Sequence, residues 1–431
     1  MIEADWLLEG AGQLVTLRGP ERPRRGAELA DLGLVAGGAV AARHGLIVAA
    51  GPYDEVLASV ILVPDASLVN AGGALVTPGF VDAHTHALFG RYRADEYDLR
   101  VKGAGYVEIA AAGGGIHASV EDFRRRSDDD LLELSRPRLR RMLRAGSTTI
   151  EVKSGYGLSL AEELRALRLI AQLDEELPAK LVPTFLGAHE IPPERRGDRE
   201  GYVREICETW LPAVARQGIA RFADVFCEPT VFTLEESRRI LQKAAALGLG
   251  LKIHADEIAP GYGGAALAGQ LNATSAEHLI VMSEDDMPAL AAGETVAVLL
   301  PATSLGLAST AFAPARAMIE AGIAVALATD FNPGSACCES MSFVLALACS
   351  ALRLTPAEAL CAATHNAAWA CGEGPHAGSL APGKRADILI HDAEDFRELP
   401  YHMGFDPVAR VYASGREVSE RPAELRDRLR R

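Results

Sequence analysis

Two histidines separated by one residue, in Asp82-Ala83-His84-Thr85-His86, are the first feature with chemical content. On an extended chain, side chains at i and i+2 project to the same side, so both imidazoles can reach one metal ion. Taken alone, such a pair is equally well two ordinary surface histidines. Three further histidines stand in comparable company, in Gly187-Ala188-His189-Glu190, His254-Ala255-Asp256-Glu257 and Glu277-His278. Thr329-Asp330-Phe331-Asn332 adds a carboxylate, and Lys153-Ser154-Gly155-Tyr156-Gly157 an amine and a phenol. Neutral imidazoles with a carboxylate are donors for zinc and other first-row divalent ions, and the same residue types move protons near neutral pH.

What must position these groups is a set of apolar runs spaced along the middle of the chain. Strands are expected at 74–82, 147–153, 180–187, 223–227, 249–253, 273–277, 295–300 and 322–328, alternating with amphipathic helices. Eight βα units are what a closed (β/α)8 TIM barrel requires, and active sites of such barrels lie at the C-terminal ends of the strands. Five of the eleven histidines (His84, His86, His189, His254 and His278) fall at expected strand ends, which favours a metal site over chance placement. Ser159-Leu160-Ala161-Glu162 and Thr233-Leu234-Glu235-Glu236 have capping-box form, and Gly146 and Gly248 fall where helix C-terminal glycines belong.

The ends of the chain differ in character. Residues 1–73 carry short β-rich runs punctuated by Gly and Pro, with Pro20 to Arg25 read as a basic hairpin connection. From 373 to 431 β character returns, in Ile388-Leu389-Ile390 and in a strand pair around Ser414-Gly415, before a charged terminus at 426–431 expected to fray. Each end is too small to fold comfortably alone. The expected α/β architecture is therefore a (β/α)8 barrel over 74–372 with a small β-sandwich domain built from both chain ends.

Composition narrows the partners. The 431 residues are 49% hydrophobic and 23% charged, ordinary for a globular chain and unlike a disordered one. Forty-three Lys and Arg against 58 Asp and Glu leave a net charge of −15, a field that repels nucleic acid and anionic membrane surfaces. An anionic ligand would need a locally basic site. Seven cysteines, including adjacent Cys337-Cys338, form no CxxC pair, which fits a reducing cytoplasm. No basic segment followed by an apolar run opens the chain, and no stretch of about 18 apolar residues follows, so neither a leader nor a membrane span is expected.

Pro78-Gly79-Phe80-Val81-Asp82-Ala83-His84-Thr85-His86 resembles the first-strand signature of the amidohydrolase superfamily. Glu151-Val152-Lys153-Ser154-Gly155-Tyr156-Gly157, Ile253-His254-Ala255-Asp256-Glu257 and Ala328-Thr329-Asp330-Phe331-Asn332-Pro333-Gly334-Ser335 are similar, more specifically, to its imidazolonepropionase family, of histidine degradation. The similarity spans nearly the whole chain, including Gly383-Lys384-Arg385-Ala386-Asp387. It implies one divalent metal per chain on His84, His86, His254 and Asp330, with zinc favoured and Fe(II) or Mn(II) compatible with the same donors. The segment Phe226-Cys227-Glu228 after the fourth strand lacks a lysine, which argues against the two-metal subclass built on a carbamylated lysine. Lys153 follows the second strand instead, and a structural role for it is at least as well supported as a catalytic one.

The substrate that this resemblance implies is 4-imidazolone-5-propanoate, whose ring carbonyl must be attacked by water activated at the metal. Glu257 lies three residues after His254, close enough to take the proton from water and deliver it to the leaving ring nitrogen. His278 is placed to hydrogen-bond the carbonyl oxygen, and Asp330 is a second proton acceptor. The propanoate tail needs a cation, and Arg93, in the long loop after the first strand, can grip a carboxylate through two parallel hydrogen bonds. By resemblance Arg93, Tyr156, His189, Glu257, Asn332, Gly334 and Ser335 line the substrate pocket. Arg91 and Arg100 are read as surface or salt-bridge residues.

Several features lie outside this pattern. The 87–120 loop is long, and its Gly113-Gly114-Gly115 could hinge a lid. His117 has no assigned role, and Cys337-Cys338 are read as small buried residues. The resemblance also implies a homodimer. The nearest rival function is a deaminase of the same superfamily acting on a nucleobase-like ring, which needs the same activated water but no carboxylate clamp. A metal-free scaffold on the same fold would lack ligands, and here every candidate donor is present.

Overall fold

The computed structural model describes residues 1–103 and 114–420. The sixteen strands of the described residues fall into two families: β1 (Ile2–Val15), β2 (Leu34–Arg43), β3 (Leu46–Pro52), β4 (Val60–Asn70) and β5 (Leu75–Pro78) at one end, joined by the late β14 (Ile388–His391), β15 (Val408–Ala413) and β16 (Arg416–Glu420), and β6 (Phe80–Asp82), β7 (Ser147–Lys153), β8 (Lys180–Ala188), β9 (Phe222–Cys227), β10 (Gly250–Ala255), β11 (Ser275–His278), β12 (Val296–Leu299) and β13 (Ala324–Leu327) in the middle. The last, β16, pairs with β15.

β6 to β13 are parallel neighbours in sequence order, the expected barrel. Their residues are buried on both faces, as in all-parallel sheets covered by helices, so β7 and β13 show no exposed position. The barrel closes beyond the ends of β6 and β13. Thr85 bridges Phe331 in parallel register, the His86 amide donates to Phe331 O at 2.9 Å and the Asp330 amide donates to His84 O at 3.0 Å. Beneath them the Asp82 carboxylate accepts from the Thr329 amide (3.0 Å) and hydroxyl (2.6 Å). The seam therefore runs through the residues that carry the chemistry.

The expected first strand, 74–82, is two elements. β5 joins the sheet of the chain ends, pairing with β1 and β14, and only β6 enters the barrel. The break is at Gly79, where a Cβ would stand 2.1 Å from Thr148 Oγ1, so the chain can pass β7 only without a side chain. β10 runs on to Ala255 and β11 to His278, so His254 and His278 belong to the strands and not to the loops after them. Thr233 forms the expected helix start, Thr355 caps another helix in the same way, and Gly146 and Gly248 take φ of +99° and +83° at helix ends. Ser159 does not cap its helix: Glu162 bonds Arg165 (2.8 Å), leaving no capping box.

The strands of the two ends form one sheet, ordered β16-β15-β14-β5-β1-β2-β3, with β4 also pairing β1. Its sandwich core gathers Trp6, Leu8, Leu14 and Val40 with Ile388 and Tyr412, and Trp6 meets Tyr412 edge to face at 5.4 Å, so neither end completes this core alone. Arg24, expected in a solvated basic loop, is buried and donates to Leu17 O (2.9 Å) and Arg18 O (3.1 Å). Cys337 is exposed and not buried as expected, while Cys338 is half-buried; the described cysteines are all free. Among the described residues, no helix is long and apolar enough to cross a membrane. The expected fraying at 426–431, and Gly113 of the triple glycine, lie outside the described residues.

Candidate active site

Four side chains converge at the C-terminal mouth of the barrel. His84 Nε2 lies 3.3 Å from His86 Nε2 and 3.3 Å from Asp330 Oδ1; His86 Nε2 lies 3.5 Å from both Asp330 Oδ1 and His254 Nε2. All four residues are buried. Donors placed tetrahedrally at about 2.0–2.1 Å from a metal are roughly 3.3–3.4 Å apart, close to this spacing. The nitrogens are not hydrogen-bonding one another. His84 Nδ1 faces Glu277 Oε2 at 2.5 Å and His254 Nδ1 faces Asp224 at 3.1 Å, which puts the ring protons on Nδ1 and leaves the Nε2 lone pairs pointing inward. Asp330 Oδ1, also aimed inward, has no hydrogen-bond donor. The Nε2 lone pairs of His84 and His254 and the Asp330 Oδ1 crowded beside His86 Nε2 fit a cation.

A second layer of charge underlies the first. Lys153 Nζ reaches Glu151 (2.8 Å), Asp224 (2.8 Å) and Glu277 (3.0 Å), and Lys252 Nζ reaches the other Glu277 oxygen (2.9 Å), all fully buried. With Asp330, two ammonium groups face four carboxylates, an excess of acid over amine in the barrel interior. A divalent ion at the four donors would offset it, since buried charge is costly unless paired. Thr303 Oγ1 donates to the remaining Asp330 oxygen at 2.6 Å, fixing the carboxylate whose backbone adopts φ +53°.

Glu257 stands at the mouth with its side chain 13% exposed, its Oε2 3.7 Å from His278 Nε2. Burial, then the Asp330 and Glu228 charges, push its carboxyl up to about 8, poised for proton transfer. Its backbone is held by Glu228, whose carboxylate accepts from the Glu257, Ile258 and Ala259 amides at 2.9–3.1 Å. Burial holds the His278 imidazole below its ordinary value, and its φ of +72° turns the side chain out of the strand pattern.

The candidate pocket residues divide. Tyr156 is buried, which pushes its phenol above the ordinary value, and its ring lies 6.0 Å from that of His86 and 5.7 Å from that of His189. Its loop is fixed by Glu163, which accepts from the Gly155, Gly157 and Leu158 amides. His189 stacks on His86 at 5.0 Å, its Nδ1 bonded to Gly155 O (3.0 Å); burial and the neighbouring His254 lower it to about 3, so it stays neutral. Arg93 is tethered by its amide to Pro333 O (3.1 Å) and its Nε lies 3.5 Å from the Glu96 carboxylate, while its buried Nη1 has no hydrogen-bond partner. Asn332 spends its amide on its own loop, donating to Asp330 O and Ser335 Oγ and accepting from the Gly334 and Ser335 amides. It shapes the pocket wall and leaves no amide atom over for a ligand. Arg100 bonds Gly306 O (3.1 Å), Arg91 is exposed, and His117 pairs with Arg196 (2.8 Å), none of them at the cluster.

Asp224, Glu277, Lys252, Glu151, Thr303 and Glu228 carried no role in the sequence reading. The available signal was charge inside strands: Glu151 and Lys153, or Lys252 and His254, alternate along runs that are otherwise apolar, which places them on one face of the barrel interior.

Barrel and site together define the class: the chain belongs to the amidohydrolase family, whose model matches residues 75–418. Within it the chain falls among the imidazolonepropionases, which are hydrolases. The enzyme of that name from Symbiobacterium thermophilum is 52% identical over 97% of this chain and 98% of its own length, and that from Solibacter usitatus is 47% identical over 97% and 100%. Solved structures share the fold at lower identity. An adenosine deaminase from Xanthomonas campestris with bound zinc superimposes with a TM-score of 0.71 at 20% identity, covering 100% of this chain and 99% of that one. Escherichia coli guanine deaminase gives 0.72 at 17%, covering 96% and 99%.

Proposed function

We propose that the chain hydrolyses the cyclic amide of 4-imidazolone-5-propanoate to N-formimidoyl-L-glutamate, with one divalent ion, zinc in the first place and Fe(II) next, held by His84, His86, His254 and Asp330. The observation that carries the choice of substrate is the Arg93 guanidinium, whose buried Nη1 has no hydrogen-bond partner although its Nε lies 3.5 Å from the Glu96 carboxylate, on a loop bonded to Pro333 O just beyond Asp330. A divalent ion at such donors lowers the pKa of a water and polarises a carbonyl.

Arg93 binds the propanoate and Tyr156 packs the ring, so the ring carbonyl faces the donors. Glu257 takes a proton from the attacking water at a carboxylate oxygen and delivers it to the ring nitrogen as the C–N bond breaks. His278 hydrogen-bonds the carbonyl oxygen as charge develops on it. Asp330 is the second acceptor for the water's protons. His189 and the 332–335 loop exclude solvent around the ring. A homodimer in the cytoplasm completes the reading.

Purified protein should contain one transition-metal ion per chain and convert the imidazolone. Metal-replete protein that leaves it intact, yet releases ammonia from a ring amine, would replace this reading with that of a deaminase.

A further inference from the structure

Lys153 is a fully buried ammonium set among three carboxylates on three strands, Glu151 on β7, Asp224 on β9 and Glu277 on β11. Two of those carboxylates are the ones that face the Nδ1 atoms of His84 and His254. Without a cation between them, three buried carboxylates repel one another and at least one turns away or takes up a proton. Asp224 and Glu277 lie 3.1 and 3.9 Å from the His254 Nδ1, so the Lys153 ammonium shares both of these carboxylates with that ring nitrogen.

We propose that Lys153 is a positioning residue that serves as a built-in cation: it fills the cage of Glu151, Asp224 and Glu277, keeps Asp224 and Glu277 aimed at the histidines, and limits the site to a single divalent ion. The inference rests on the four-donor assignment made above. Lys252 does not substitute, because of the three cage carboxylates it reaches only Glu277, at the far oxygen, its other partners being Ser275 Oγ (3.0 Å) and Ala83 O (3.4 Å). Outer carboxylates of this kind fix the ring orientation and basicity of ligating histidines, and losing them typically costs about 10–100-fold in metal affinity.

The test compares Lys153→Ala, which empties the cage, with Lys153→Met, which fills it without charge. Each protein is stripped of metal, titrated with Zn(II) and Mn(II), and read by elemental analysis and, for Mn(II), by electron paramagnetic resonance. Wild type should bind one ion. Lys153→Met should also bind one, about 10–100-fold more weakly. Lys153→Ala should take up two, with the spin-coupled signal of a manganese pair. One ion at wild-type affinity in both variants would overturn the role of Lys153 while leaving the four-donor site standing; a wild type that binds no ion would overturn the donor assignment itself. Should a single variant fail to fold, Glu151→Gln with Lys153→Met removes one charge of each sign. That double variant should fold and bind one ion about 10-fold more weakly, and wild-type affinity in it would overturn the proposal.

Discussion

Arg93 and Gly334 are packed so closely that a Cβ on the glycine would stand 1.4 Å from the Arg93 Nη2 atom. Loops from the two sides of the barrel seam therefore meet with guanidinium against bare backbone, and any side chain at 334 must push the guanidinium aside. Gly334→Ala should displace the guanidinium and raise KM for the imidazolone about 10-fold or more, the scale of one lost charge-assisted hydrogen bond. Steady-state kinetics should show kcat within a few-fold of wild type, and an unchanged KM would detach Arg93 from the substrate tail.

Arg93→Ala and Glu257→Gln should separate binding from chemistry. The first removes a carboxylate clamp used in ground and transition state alike, so KM should rise by about 10–100-fold with a smaller change in kcat. The second keeps size and hydrogen bonding but cannot take a proton, so kcat should fall by about 100-fold or more. Equal losses of kcat at unchanged substrate affinity in both variants would contradict these assignments.

Metal removal should be visible in stability. The donors and the carboxylates behind them put an excess of acid over amine in the barrel interior, which a divalent ion offsets, so chelation should lower Tm and added Zn(II) should restore it. An ion that binds only the folded chain stabilises it by about 2.7 kcal/mol at a hundredfold excess over Kd. Calorimetric scans over a range of free Zn(II) would show Tm climbing with concentration. A Tm indifferent to chelator and zinc would argue against an ion at these donors.

His391, far along the chain from the cluster, supplies an acid-sensitive element. Its Nε2 donates to Thr77 Oγ1 at 2.8 Å between β14 and β5, and burial lowers the imidazole from the ordinary 6.5 to about 3. Between those values the unfolded chain binds the proton and the folded chain does not, so stability falls as pH drops below 6.5. Between pH 7 and 5 this costs about 2 kcal/mol. Denaturant unfolding at both pH values should show His391→Gln losing less stability than wild type over that interval; parallel losses would assign the acid sensitivity elsewhere.

That His84, His86, His189, His254, His278 and Asp330 would come together was readable because each sits at the end of an apolar run, where a barrel gathers its strand ends; the choice of four among them came from the family resemblance. The layer behind them was not. Asp224, Glu277 and Thr303 matter through the atoms they meet, His254, His84 and Asp330, and those pairings cross 27 to 193 sequence positions, set by barrel geometry and not by local pattern. The 74–82 run reads as one strand because nothing in its apolar sequence reports the crowding of Gly79 by Thr148. Asn332 was placed in the pocket lining by resemblance alone; that its own loop takes up its amide hydrogen bonds depends on the turn it closes.

The most direct test is product analysis after turnover of 4-imidazolone-5-propanoate in water carrying the heavy oxygen isotope. Hydrolysis at the ring carbonyl predicts one labelled oxygen in the newly formed carboxylate of N-formimidoyl-L-glutamate, a mass gain of one water and no ammonia. Unchanged imidazolone in the presence of metal-loaded protein, with ammonia and labelled oxygen appearing instead from an amino-substituted ring, would contradict it.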